Sequence, residues 1–147
     1  MIRSAVAVWK GSPAIGEGTV STYSGVLSKA LYSFGSSSGI EPCTSPSEML
    51  AASVASCISL IVAQELAKAE VHHEAIRTES SLTLQEKQGH WEILEIDVEV
   101  TSALSSSDEE TFHKAVRNAK QRCGITRALK VPLKLTSKVE AAEPVIA

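Results

Sequence analysis

Three thiols, Cys43, Cys57 and Cys123, are the residues of this chain best suited to chemistry. A cysteine attacks as its thiolate, so its surroundings decide whether it reacts. Cys57 lies in "SPSEMLAASVASCISLIVAQEL", residues 45–66, where the fifteen residues from Met49 to Ala63 carry no charge. Its helical neighbours are Ser53, Val54, Leu60 and Ile61, a mostly apolar setting. Burial raises a thiol pKa, and a sulfur in mid-helix gains nothing from the helix dipole, so reactivity would need a nearby cation. Two readings of Cys57 stay open: a small core residue, or a reactive sulfur held in a dry helix. Cys123 follows Arg122 and stands near Arg127. Alone it reads as a surface cysteine. Paired with Cys57 it reads as a mobile resolving thiol, able to condense with a sulfenic acid. Cys43 lies in a loop before the long helix and reads as incidental.

Other constellations are weak. An odd number of cysteines without a C-x-x-C pair argues against a disulfide scaffold or a zinc ribbon, and implies a cytoplasmic protein with reduced thiols. His72-His73-Glu74 has no matching ligand set and reads as a solvated helix exit, so no metal is expected. The chain lacks the G-x-S-x-G, H-E-x-x-H, Walker and G-x-G-x-x-G patterns. "GEGTVST" runs into a strand and offers no helix N-terminus to a phosphate. A net charge of −3 and a pI near 5.8 point away from nucleic acid and from anionic membrane as partners. The uncharged run is too short, and too rich in serine and alanine, to predict a membrane span. "MIRSAVAVWKG" reads as a strand rather than a signal peptide.

The elements that must hold these thiols are legible in outline. With 147 residues, 44% apolar and 21% charged, the chain predicts one globular domain over residues 1–140 and a loose tail at 141–147. The first third is β-like, broken by "SPAIGEG" and by Ser24-Gly25. Ser45 as N-cap, Pro46 at the first helical position and Glu48 completing a capping box then start a helix of about 24 residues. That helix is apolar on every face, so it must be buried on all sides, and a partner chain is expected to help. "SLTLQEKQGHWEILEIDVEVT" predicts a hairpin around residues 86–89, with Ile93, Ile96, Val98 and Val100 set against Glu95, Asp97 and Glu99. A second helix follows, capped by a serine at 105–107, acidic at its start and basic at its end, with Phe112, Val116 and Ala119 as its apolar stripe. Gly124 ends it, "ITRALK" is a turn, and "VPLKLTSKV" closes as a strand. The order is that of an α+β fold.

Five segments together resemble the OsmC/Ohr family of osmotically inducible and organic hydroperoxide resistance proteins. They are "VWKG", "GEGTVSTYSGVL", "YSF", "TSPSEMLAASVASC" and "RCGITRALKVPLKL", in order from about Ala7 to Leu135. Thr44-Ser45-Pro46 ahead of Ala55-Ser56-Cys57, and Cys123-Gly124-Ile125 late in the chain, are the most specific pieces. The resemblance implies an intertwined homodimer, with a long central helix buried between antiparallel sheets. It implies a thiol peroxidase of organic hydroperoxides that needs no cofactor. Cys57 would be the peroxidatic thiol and Cys123 the resolving one, and the resulting disulfide would be reduced by a small dithiol or a lipoylated protein.

The chain departs from the family at two positions. Members carry an activating arginine, either in the earlier glycine loop or after the "YSF"-like strand, and a glutamate just after the helix-start proline. Here "AIGEG" has no arginine, Ser37 takes the later arginine position and Ser47 that of the glutamate. Glu48 is one residue on, about 100° around the helix. Arg122 and Arg127 are then the candidates for the activating cation. Position 47 lies roughly 15 Å along the helix axis from Cys57, so groups there that share a site would meet across a dimer interface. The alternative reading is a non-catalytic relative that binds a hydrophobic ligand at that interface, or a slow redox sensor.

Overall fold

A computed structural model describes residues 1–33 and 42–141; Ser37 and the tail from 142 lie outside the described residues. The chain divides into two compact units, Met1–Leu50 and Ala51–Ala147.

The first unit is a three-stranded antiparallel sheet in the order β1 (Ala5–Lys10), β2 (Glu17–Thr22), β3 (Ala30–Tyr32). Trp9, Gly18 and Tyr32 stand opposite one another across the three strands. A Cβ on Gly18 would come within 2.7 Å of both rings, which are 5.9 Å apart. Glycine is therefore required for this cross-strand pair to close over the backbone. After β2 the chain turns through Gly25, whose φ of +76° suits glycine. Val20 is this unit's one buried apolar residue among those described.

The long helix α1 spans Pro46–Lys68 and gives most of its length to the second unit. Its start matches the expected signals in part. Ser45 Oγ accepts from the Glu48 backbone N–H at 3.2 Å. The Glu48 carboxylate does not return the bond; it accepts from Thr44 Oγ1 at 2.8 Å, so only half of the capping box forms. An 18-residue window of this 23-residue helix has a mean hydropathy of 1.7, so α1 is long and apolar enough to cross a membrane by length and composition. Val54, Ile58, Ile61, Val62 and Leu66 instead form a stripe in a protein core. Within the single chain the burial is not all-round, since Leu60 is 62% exposed.

The stripe packs with β5 (His90–Leu104) of the sheet β4-β5-β6 and with α2 (Glu109–Arg122). β4 (Ile76–Lys87) and β5 form the expected hairpin, turning at Gln88-Gly89. Ile96, Val98 and Val100 face the core, while Asp97 and Glu99 line the half-exposed face with Lys134 and Lys138 of β6 (Leu133–Ala141). The register slips near Thr83/Leu84, leaving Leu94 without a cross-strand partner, so the inward parity switches from Ile96 to Ile93. Phe112 on α2 is fully buried among these groups, and such burial contributes roughly 1.5–3 kcal/mol.

Three expectations are corrected in this unit. β6 pairs parallel to β5, so this sheet is mixed and not antiparallel. The physical reason is the helical crossover between the strands, which returns the chain in its original direction. α2 begins after a 3₁₀ turn at Ser106–Asp108, and neither Ser105 nor Asp108 makes a side-chain cap. "ITRALK" is not a simple turn either, because Gly124–Ala128 forms a short helix, α3.

Candidate active site

Cys57 lies beside the buried stripe of α1, next to Val54, Ile58 and Ile61, and is half-buried. Cys123 occupies the junction of the two later helices. It is the C-cap of α2, donating its backbone N–H to Ala119, and the N-cap of α3. Its exposure is 0%, which reverses the expectation of a mobile surface thiol. The reason is α3: a second helix starting at residue 124 fixes the sulfur that a loose turn would have left in solvent. The two sulfurs lie 2.7 Å apart, without a disulfide between them.

At that distance the thiols titrate as a pair. Burial pushes the Cys57 pKa up, and its bond to Cys123 pushes the same way, against the Ile125 and Gly124 amides. Burial also opposes ionisation of Cys123, but the Cys57 thiol and the Thr126 and Ile125 groups outweigh it and hold this thiol below its ordinary value. Sulfur positions alone allow Cys123 to donate to Cys57. The donors gathered around Cys123 favour the reverse, with the proton on Cys57 and the charge on Cys123, and the electrostatics decides. The arrangement therefore favours the proton on the reachable sulfur and the charge on the buried one.

The remaining candidates are placed elsewhere. The Arg122 guanidinium is turned to Glu65 of α1, not to a sulfur. Arg127 lies exposed on α3. Ser47 stands in the first turn of α1, 3.1 Å from Ser45 Oγ. Cys43 belongs to the first unit, with Ser33 Oγ 3.3 Å from its sulfur. His72 is exposed and His73 half-buried, and among the described residues there is no group of three His, Cys, Asp or Glu able to hold a metal ion. Glu65 and Asn118 were not singled out from the sequence. A signal existed: Glu65 sits four residues past Ile61 and flanks the core stripe, where a carboxylate needs donors.

A half-buried and a buried thiol in contact, joined by helices packed on a mixed sheet, define an α+β protein with a dithiol centre. Residues 37–138 match the family described as OsmC-like protein, and the chain belongs to that family. It is 30% identical over 135 residues to peroxiredoxin OsmC of Escherichia coli, covering 92% of this chain and 94% of that one. Among solved structures it resembles an OsmC-like protein of unknown function from Vibrio cholerae, with a TM-score of 0.75 at 17% identity over 95% of this chain and 99% of that one. It also resembles an organic hydroperoxide resistance protein OsmC from Legionella pneumophila, with a TM-score of 0.69 at 18% identity over 92% and 97%.

Proposed function

We propose that this chain is a thiol peroxidase that reduces organic hydroperoxides, with Cys57 as the attacking sulfur and Cys123 as the resolving one. The observation that carries the reading is the 2.7 Å contact between a half-buried and a fully buried thiol. Solvent exposure selects Cys57 for attack, since a peroxide cannot reach a sulfur of 0% exposure without opening the fold. The family relationship to a peroxiredoxin and the likeness to an organic hydroperoxide resistance protein support the same chemistry.

In the first step Cys57 passes its proton to the Cys123 thiolate across the contact. The Cys57 thiolate attacks the distal peroxide oxygen and the O–O bond breaks. Cys57 becomes a sulfenic acid, and the alkoxide leaves as the alcohol after taking a proton from solvent. In the second step the Cys123 sulfur displaces the sulfenic oxygen as water, forming the Cys57–Cys123 disulfide. An external dithiol, either a small molecule or a lipoyl group on a carrier protein, then returns both thiols and leaves as its own disulfide. On this reading Cys123 accepts the Cys57 proton, and the Ile125 and Gly124 amides, which lower the Cys57 pKa, favour the attacking thiolate. Apolar neighbours at Cys57 favour alkyl hydroperoxides over hydrogen peroxide. Comparison of hydroperoxide turnover by the wild type and by Cys57→Ser tests the reading.

We further infer a homodimer, because α1 leaves Leu60 62% exposed on an otherwise apolar helix. Light scattering is expected to give twice the 15.6 kDa chain mass, and Leu60→Glu to lower it. A wild type that runs as a 15.6 kDa particle at micromolar concentration contradicts this.

A further inference from the structure

A second bridge joins α1 to α2 beside the thiol pair. Glu65 is two helical turns beyond Cys57 on α1, roughly 12 Å along the axis. Its side chain is only 15% exposed. Its Oε2 accepts from Asn118 Nδ2 at 3.0 Å. Its Oε1 accepts from Lys68 Nζ at 3.0 Å and from Arg122 Nη1. Asn118 and Arg122 are four residues apart on α2, so one carboxylate grips one face of that helix at two successive turns. Arg122 directly precedes Cys123.

The consequence is geometric. Packing of Phe112, Val116 and Ala119 on the core fixes the depth of α2, but apolar contacts resist sliding poorly because they are non-directional. Charge-assisted bonds from Asn118 and Arg122 to one carboxylate have direction, and they fix the axial position of the last turn of α2 against α1. That position decides whether Cys123 meets Cys57. We propose that Glu65 is a positioning residue for the dithiol: by holding Asn118 and Arg122 it sets the effective concentration of the Cys123 thiol at Cys57. The inference rests on the Cys57–Cys123 couple of the proposed function, though not on its peroxidase activity.

The test is the equilibrium of the full-length protein with glutathione. Cys57 and Cys123 as thiols plus one glutathione disulfide give the protein disulfide plus two glutathione thiols. Its equilibrium constant is the effective concentration, read by alkylation and intact mass at pH 7. Glu65→Ala is expected to lower it by about tenfold and Arg122→Ala by somewhat less, and the double variant by no more than Glu65→Ala alone, since that change already removes the Arg122 contact. Glu65→Gln, which keeps the length and an acceptor for Asn118, is expected to recover part of the loss and is the variant of choice if Glu65→Ala folds poorly. Loss of a bond that merely stabilises the fold lowers the thermal midpoint and leaves the glutathione equilibrium alone. Variants whose equilibrium stays within twofold of the wild type therefore overturn the proposal, as does a wild type that forms no Cys57–Cys123 disulfide. A wild type that shows the glutathione equilibrium but no hydroperoxide turnover fails the peroxidase reading and leaves the positioning role standing.

Discussion

Cys57→Ser is expected to remove dithiol-driven consumption of cumene or tert-butyl hydroperoxide, with a loss of roughly a thousandfold or more. The size of the effect follows from chemistry rather than packing. Serine nearly matches cysteine in volume, and the residue is half-buried on α1, so the fold should tolerate the change. A neutral hydroxyl, however, does not attack an O–O bond as a thiolate does. The assay needs both substrates, hydroperoxide and dithiol, because the proposed cycle returns to its starting state only when the disulfide is reduced. A wild type indistinguishable from Cys57→Ser would remove the peroxidase reading and leave the ligand-binding or sensor alternative. Faster reaction with alkyl hydroperoxides than with hydrogen peroxide is the accompanying expectation. The reverse order would contradict the role given to the apolar neighbours of Cys57.

Cys123→Ala is expected to act on both halves of the cycle. The sulfenic acid at Cys57 then has no neighbouring thiol to condense with, so it persists and is trapped by a dimedone-type reagent. Formation of that sulfenic acid is expected to continue, because the variant also removes the contact that holds the proton on Cys57. A pH titration of Cys57 alkylation separates this from a purely resolving role. In the wild type the first proton lost belongs to the pair and leaves below the ordinary thiol value, as the lowered Cys123 indicates. Without Cys123 the contact that pushes the Cys57 pKa up is gone, and the alkylation midpoint moves down towards the ordinary thiol value. An unchanged midpoint would reduce Cys123 to a resolving thiol.

The sequence carried those parts of the fold that depend on near neighbours. Ser45 and Pro46 mark the start of α1 because capping is decided within one helical turn. The β4–β5 hairpin follows from alternation and from a turn at Gln88-Gly89. What escaped notice depends on distant partners. Nothing local in "VPLKLTSKV" says that β6 lies parallel to β5, as this is a property of the crossover that precedes it. "ITRALK" is too short to show a period, so the sequence by itself does not reveal α3 or the burial of Cys123. The same limit hid the site's polar frame. Arg122 was a reasonable choice for a cation near the thiols, but its partner Glu65 is 57 residues earlier in the chain. The family resemblance singled out Cys57 and Cys123, which the fold brings into contact, while the groups that bias the pair's proton come from residues around Cys123.

The burial of Cys123 at the junction of α2 and α3 also makes oxidation a thermodynamic event for the whole unit. Cys57 and Cys123 are 66 positions apart, with the rest of α1, the hairpin and α2 between them. A disulfide joining them would restrict the unfolded chain by closing that long loop, worth about 4 kcal/mol by loop-closure entropy. Urea midpoints of the oxidised and reduced forms should differ in that direction, and equal midpoints would mean that native strain offsets the gain. The form awaiting its reductant is thus expected to be the sturdier one, and each regeneration by the dithiol must work against the cohesion that the cross-link has lent to the fold.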